Sequence, residues 1–247
     1  MKALPSFCKV IQSSIIASSI FTASYSYSGV VVNGTRIIFE NGQQEKAVQL
    51  NNKDRHPNLV QIWSDKNQPD SSPENADGPF MTNPQIFKMN PQQGQIVRLR
   101  FIGQSSELPQ DRESLFYLNI NEIPALKASD LEANRLVVSF TNRLKILYRP
   151  KGMQGHATDA FEQVNYQIQN GQIRLNNPTN YYAHIAEIKM TQNGRIVQQD
   201  KSLMIAPNDQ LIWSAKPVAN TETEINAVFI NDYGARVQKT IKASPEN

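Results

Sequence analysis

Three histidines, one cysteine and the carboxylates are the side chains that could carry bond-making chemistry, and their spacing forms no reactive set. His56 precedes Pro57 in a charged stretch, and His156 sits in a glycine-containing break. His184 lies in a strand pattern, where a hydrogen-bonded structural histidine is the simpler reading. None has a metal-spaced partner of the His-x-x-x-His kind. There is no Gly-x-Ser-x-Gly elbow, no phosphate loop and no cysteine nucleophile. Asp111 and Glu113 are close enough in sequence to suggest a glycosidase-type pair. Arg112 and Arg149 make salt bridging the stronger expectation for both. Asn33-Gly34-Thr35 fits an N-glycosylation acceptor, a tripeptide frequent by chance. The inventory therefore points away from an enzyme, and no metal, cofactor or small-molecule substrate is expected.

Composition bounds the remaining classes. The chain has 247 residues, 39% apolar and 19% charged, which fits one or two globular domains. Its net charge of +3 is too small to imply nucleic-acid binding by field alone. Residues 1–28 read as a secretory leader. Lys2 and Lys9 supply a positive start, a short apolar and serine-rich stretch follows, and Ser26 and Ser28 suit a cleavage site before Gly29. Cleavage after Ser24 or Ser26 fits the same pattern. The apolar stretch is too short and too interrupted for a spanning helix, which needs about 20 apolar residues. Cys8 lies inside this leader, so the mature chain must fold without a disulfide.

The elements that must position any site are strands. Val30–Glu40 reads as one strand with an irregularity at Gly34, closed by an Asn41-Gly42 turn. Ala47–Leu50, Leu59–Ser64, Gln85–Met89, Gln95–Phe101 and Leu115–Asn121 follow, with Asn67–Asn83 as a polar loop. Residues 151–157 form a polar linker. Beyond it come seven more candidate strands, with Asn170-Gly171 and Asn193-Gly194 as hairpin turns. No segment of ten or more residues has helical period. Many short strands at this spacing indicate all-β sandwiches, here two of them: 29–150 and 158–247.

Asn134–Pro150 is the organising run. Leu136, Val138, Phe140 and Leu144 share one face with Asn142, while Arg135, Ser139, Thr141, Arg143 and Lys145 share the other. Alternation alone is compatible with a hairpin strand whose apolar row is core. It is also compatible with a row that is partly exposed and binds another chain.

Pro109–Pro124, PQDRESLFYLNINEIP, resembles the signature of the periplasmic pilus chaperones, the PapD-like family. Supporting matches are TRIIF at 35–39, VQIW at 60–63, VRL at 97–99, LKILYRP at 144–150, NPT at 177–179 and INDYG at 230–234. The likeness covers about residues 29 to 243. At Asn83-Pro84-Gln85 the chain carries one proline where the family usually has two.

This resemblance implies two immunoglobulin-like β-sandwich domains in a boomerang arrangement and a periplasmic location. It implies binding of pilin subunits by donation of strand 134–145, and delivery to an outer-membrane usher. Leu136, Val138 and Phe140 would enter the groove of the pilin, and Arg36 and Lys145 would hold its C-terminal carboxylate. Arg98, Glu113 and Asp232 match a charged trio expected to tie the domains together. The short connection from Pro124 to Asn134 is similar to the short-loop subclass that serves rod-like pili. An exposed apolar row would also allow the free protein to self-associate. The competing class is a secreted carbohydrate-binding or adhesive sandwich protein, which would need an exposed aromatic platform. Trp63 and Trp213 both sit in strand patterns that read as core.

Overall fold

The computed structural model describes residues 29–125, 136–218 and 221–244. The leader, and most of the connection from Pro124 to Asn134, lie outside the described residues. Within them, nine strands build the first domain in chain order: β1 (Val30–Val32), β2 (Arg36–Glu40), β3 (Lys46–Asn52), β4 (Asn58–Asp65), β5 (Phe80–Asn83), β6 (Ile86–Met89), β7 (Gly94–Phe101), β8 (Ser114–Pro124) and β9 (Phe140–Arg149). They form a four-stranded sheet ordered β1-β3-β7-β5 and a five-stranded sheet ordered β2-β9-β8-β4-β6. Period-two side chains from both sheets meet between them. Val97 and Leu99 point inward from β7, and Phe116, Leu118 and Ile120 from β8. Phe39, Phe80, Phe101, Phe116 and Tyr148 close one end, with Phe39 and Phe80 edge-to-face at 5.2 Å between centroids.

Two expectations need correction. Val30–Glu40 is two strands, not one with an irregularity. Gly34 adopts φ +106°, a conformation glycine enters freely, and there the chain crosses from the four-stranded to the five-stranded sheet. The polar loop also ends earlier than Asn83, because Phe80 and Thr82 turn into the core and draw 80–83 into β5.

The second domain opens on α1 (Asp159–Gln163), a single short turn of helix. Seven strands follow: β10 (Asn165–Gln169), β11 (Gln172–Asn177), β12 (Ala183–Gln192), β13 (Arg195–Ile205), β14 (Asp209–Trp213), β15 (Thr223–Ile230) and β16 (Arg236–Ala243). They run in the order β13-β12-β15-β16-β10-β11-β14 around a separate core. The Asn170-Gly171 and Asn193-Gly194 pairs join β10 to β11 and β12 to β13 with positive φ at both residues, the backbone a tight hairpin requires.

The domains are joined by a charged seam that differs from the expected trio. Arg98 points outward from β7 and pairs with Glu45 at 3.5 Å on the exposed face of the four-stranded sheet. Alternation along β7 puts Val97 and Leu99 inside and therefore Arg98 outside. Arg149, the last residue of β9, takes the central place. Its Nε donates to Glu113 at 2.6 Å, and its Nη1 and Nη2 fork onto Asp232 at 2.7 and 2.8 Å. Glu113 is only 3% exposed and also accepts the Tyr182 N–H at 2.8 Å. The two carboxylates lie on different domains, so one guanidinium spans the junction.

Removing Arg149 would leave a buried carboxylate without its cation, a change that typically costs about 3–5 kcal/mol. Arg149→Ala should lower the urea unfolding midpoint markedly. Arg98→Ala, which breaks an exposed pair, should leave it nearly unchanged. Equal midpoints for the two variants would show that the seam does not depend on Arg149.

Candidate functional site

The site is built along β9. One edge of this strand is paired with β8 from Phe140 to Tyr148. The other edge is paired with β2, in parallel, only from Lys145 to Arg149. No strand among the described residues covers that second edge over 140–144. The apolar row divides at the same place. Leu136 and Phe140 are 90% and 61% exposed, and Val138 is about half exposed. Leu144, Ile146 and Tyr148, further along the same face, are buried in the first core.

The strand expected from 134 begins at Phe140 instead. Residues 136–139 have no ladder, and Asn134 and Arg135 lie outside the described residues. The register explains the stop. Phe140 is opposite Glu122, so two residues further out the partner would be Pro124, which has no N–H. With the other edge open as well, no strand among the described residues holds 136–139 in a sheet.

A second set of groups stands where β2 begins. Arg36 and Lys145 are direct neighbours in the parallel β2–β9 register. Arg36 Nη1 donates to the Ile230 carbonyl at 3.0 Å, and its Nη2 to His184 Nδ1 at 2.8 Å. A guanidinium only donates, so His184 accepts at Nδ1 and is neutral. Both partners belong to the second domain, and neither neutralises the arginine. Burial pushes Arg36 down from its ordinary pKa, with Asp232 and Glu113 partly offsetting this. Lys145 is lowered too, first by burial and then by repulsion from Arg36 and Arg143. The result is a half-buried cationic corner suited to an anion. A cleft of about 700 Å³ runs from Arg36 past Lys46 and Lys151 to Tyr233.

The strand pattern alone makes His184 an ordinary structural histidine, and its contact with Arg36 has no local signal. The interaction links strands 148 residues apart. Arg143 is a similar case. It donates to buried Asp65 at 2.6 Å, and its guanidinium lies 3.6 Å from the Tyr117 ring centroid. Asn119 donates to the same carboxylate at 2.6 Å. Burial opposes charge on Asp65, but Arg143, Asn119 and the Gln68 and Asn67 N–H groups outweigh it and hold the carboxyl below its ordinary range. This network fastens Arg143 on the odd-numbered face of β9, opposite the face that carries Leu144, Ile146 and Tyr148 into the core.

Other candidate chemistry is absorbed into structure. Asp111 pairs with Arg112 and Glu113 with Arg149. Among the described residues, no three His, Cys, Asp or Glu side chains converge as a metal site. No helix among them is long and apolar enough to cross a membrane. Trp213 is buried and donates to Asp200, and Trp63 is partly buried and donates to Ser71. Neither forms the open aromatic platform that the carbohydrate-binding alternative requires.

Comparison with known proteins agrees with this geometry. Residues 29–154 match the pili and flagellar-assembly chaperone PapD N-terminal domain, and residues 159–241 match the pili assembly chaperone PapD C-terminal domain. The chain is 33% identical to the chaperone protein MrkB of Klebsiella pneumoniae, over 88% of this chain and 93% of that one. It is 32% identical to the chaperone protein FimB/FhaD of Bordetella pertussis, over 80% and 78% of the two chains. Its fold superimposes on the CupB2 chaperone of Pseudomonas aeruginosa with a TM-score of 0.73 at 28% identity, covering 87% of this chain and all of that one. The relatives are named as chaperones and not as enzymes. With both domains matched in order, the chain belongs to the PapD-like family of pilus-assembly chaperones of the chaperone–usher pathway.

Proposed function

We propose that this protein acts in the periplasm by lending the open edge of β9 to an incomplete pilin and then passing that pilin to an outer-membrane usher. The observation that carries the reading is the uncovered edge at 140–144, which ends against Arg36 and Lys145. A sandwich lacking a strand exposes an apolar groove and two unpaired edges, both prone to aggregation. Backbone groups of 140–144 would pair with one such edge, while Leu136, Val138 and Phe140 fill the groove.

The charges select a direction for the added strand. β2 already occupies the β9 edge from Lys145 onward, so an incoming strand must stop there. A chain that ends at this point and runs parallel to β9 brings its C-terminal carboxylate to Arg36 and Lys145. An antiparallel chain that begins there would bring its ammonium to the same cations and be repelled. Anchoring the carboxylate also sets the register. A one-residue slip would turn the apolar row away from its pockets. Self-association of the free protein would use the same exposed row.

His184 supports this anchor by staying neutral. Burial, with Lys145 and Arg36 adding, pushes its pKa down to about 4. The unfolded chain would take up the proton near 6.5. Unfolding therefore binds protons between these values, and stability should be complete above pH 6.5 and fall as the pH drops toward 4.

Four outcomes check the reading. Periplasmic co-expression with candidate pilins, followed by pull-down, should give a 1:1 complex. Arg36→Ala or Lys145→Ala should weaken pilin capture by about 2–5 kcal/mol while leaving circular dichroism unchanged. Normal pilin recovery from both variants would remove the carboxylate anchor. Phe140→Ser should sharply weaken capture at a nearly unchanged unfolding midpoint; full capture would remove strand donation. Replacing His184 with Gln should flatten the decline of the urea midpoint between pH 6.5 and 4, and an unchanged decline would assign it to other groups.

A further inference from the structure

Glu122 is a carboxylate in an unusual place. It lies in β8 of the five-stranded sheet, is only 8% exposed, and accepts the backbone N–H of Val30 in β1 of the four-stranded sheet. This hydrogen bond crosses from one layer of the sandwich to the other. β1 is otherwise held by its pairing with β3, extended by Lys53 N–H to the Gly29 carbonyl at 3.1 Å. The groups acting electrostatically on Glu122 are Asp54, a second carboxylate, and His56. Burial pushes the Glu122 carboxyl above its ordinary value, Asp54 adds to this, and the Val30 N–H and His56 only partly offset it. A cation beside Glu122 would relieve this, and the ion pairs described elsewhere in the domain leave Glu122 out.

Gly29 supplies one. A Cβ at residue 29 would clash with the Glu122 carboxylate, so the Cα is packed close against it. The Gly29 nitrogen is one bond of about 1.5 Å from that Cα, so it neighbours the same carboxylate. While a leader is attached, this nitrogen is a neutral amide. The small residues Ser26 and Ser28 place the expected cleavage immediately before it.

We propose that Glu122 is the receptor for the α-ammonium group of Gly29, so that leader removal creates the ion pair that fastens β1 across the two sheets. Hydrolysis of the Ser28–Gly29 peptide bond adds one water and releases the leader's carboxylate. The new amine takes up a proton and gains its charge beside Glu122. The consequence reaches the donor strand. Glu122 is the cross-strand partner of Phe140, and β1, Glu122, Phe140 and Leu144 bound a groove of about 550 Å³. Asn142 reaches from β9 toward the Val30 carbonyl in the same groove. Maturation would thus firm the wall of the binding edge only in chains that have been exported and cleaved.

The test uses the full exported protein purified from the periplasm. N-terminal sequencing should begin at Gly29. The α-amine, carbon-13 labelled by reductive methylation and titrated by NMR, should have a pKa at least one unit above its ordinary value of about 7.7–8.0. Glu122→Gln should return it to that value. An alanine inserted between Ser28 and Gly29, with the new terminus verified by mass, should do the same. It should also lower the thermal midpoint by an amount that does not add to the loss from Glu122→Gln. An ordinary α-amine pKa in the natural chain, a terminus elsewhere, or an elevated pKa that survives the insertion would each overturn the assignment. Should Glu122→Gln fail to fold, the natural and extended chains still decide it.

Discussion

β2 covers only half of β9, and the site follows from that. The parallel register runs from Arg36 against Lys145 to Glu40 against Arg149, and then the covering strand is exhausted. Where β2 is present, β9 is a central strand and its even side chains are core. Where β2 is absent, the same strand is an edge with an exposed phenylalanine. Edges of this kind are normally blunted because they recruit other chains. Here the edge is left long and apolar, and cations stand at its closed end.

Two arginines near the domain junction differ in the chemistry of their partners. Arg149 meets two carboxylates and is raised well above its ordinary pKa by them. Its charge is spent on joining the domains. Arg36 meets a carbonyl and a neutral imidazole, which satisfy hydrogen-bond donors without cancelling charge. Arg36 is therefore positioned by the second domain while its charge remains available. Lys145 beside it raises the local potential further, at a cost seen in its own lowered pKa. Like charges concentrated in a half-buried corner repel one another, a repulsion that an anion would relieve.

The supporting groups lie on neighbouring strands. Asp65 on β4 and Tyr117 on β8 hold Arg143, and Asn119 on β8 holds Asp65. The even row of β9 is core from Leu144 to Tyr148 and exposed at Phe140. The geometry of this edge is thus a property of three adjacent strands and of the domain that carries Ile230 and His184.

Much of this was determined by the sequence alone. Alternating residues specified strands, Asn-Gly pairs specified two hairpins, and the absence of spaced His, Cys or Ser constellations pointed away from catalysis. The motif at 109–124 identified the family. These features are local, and local rules of period and turn chemistry read them. Tertiary structure decided the rest. Alternation could not say whether Phe140 was core or surface, because that depends on where β2 ends. The family motif joined Arg98 to Glu113 and Asp232, whereas the fold turns Arg98 outward and brings Arg149 to both carboxylates. His184 acquires its role only when β12 is packed against Arg36, 148 residues earlier in the chain. Which charges meet is set by how two sandwiches dock, and no local pattern in the chain encodes that contact.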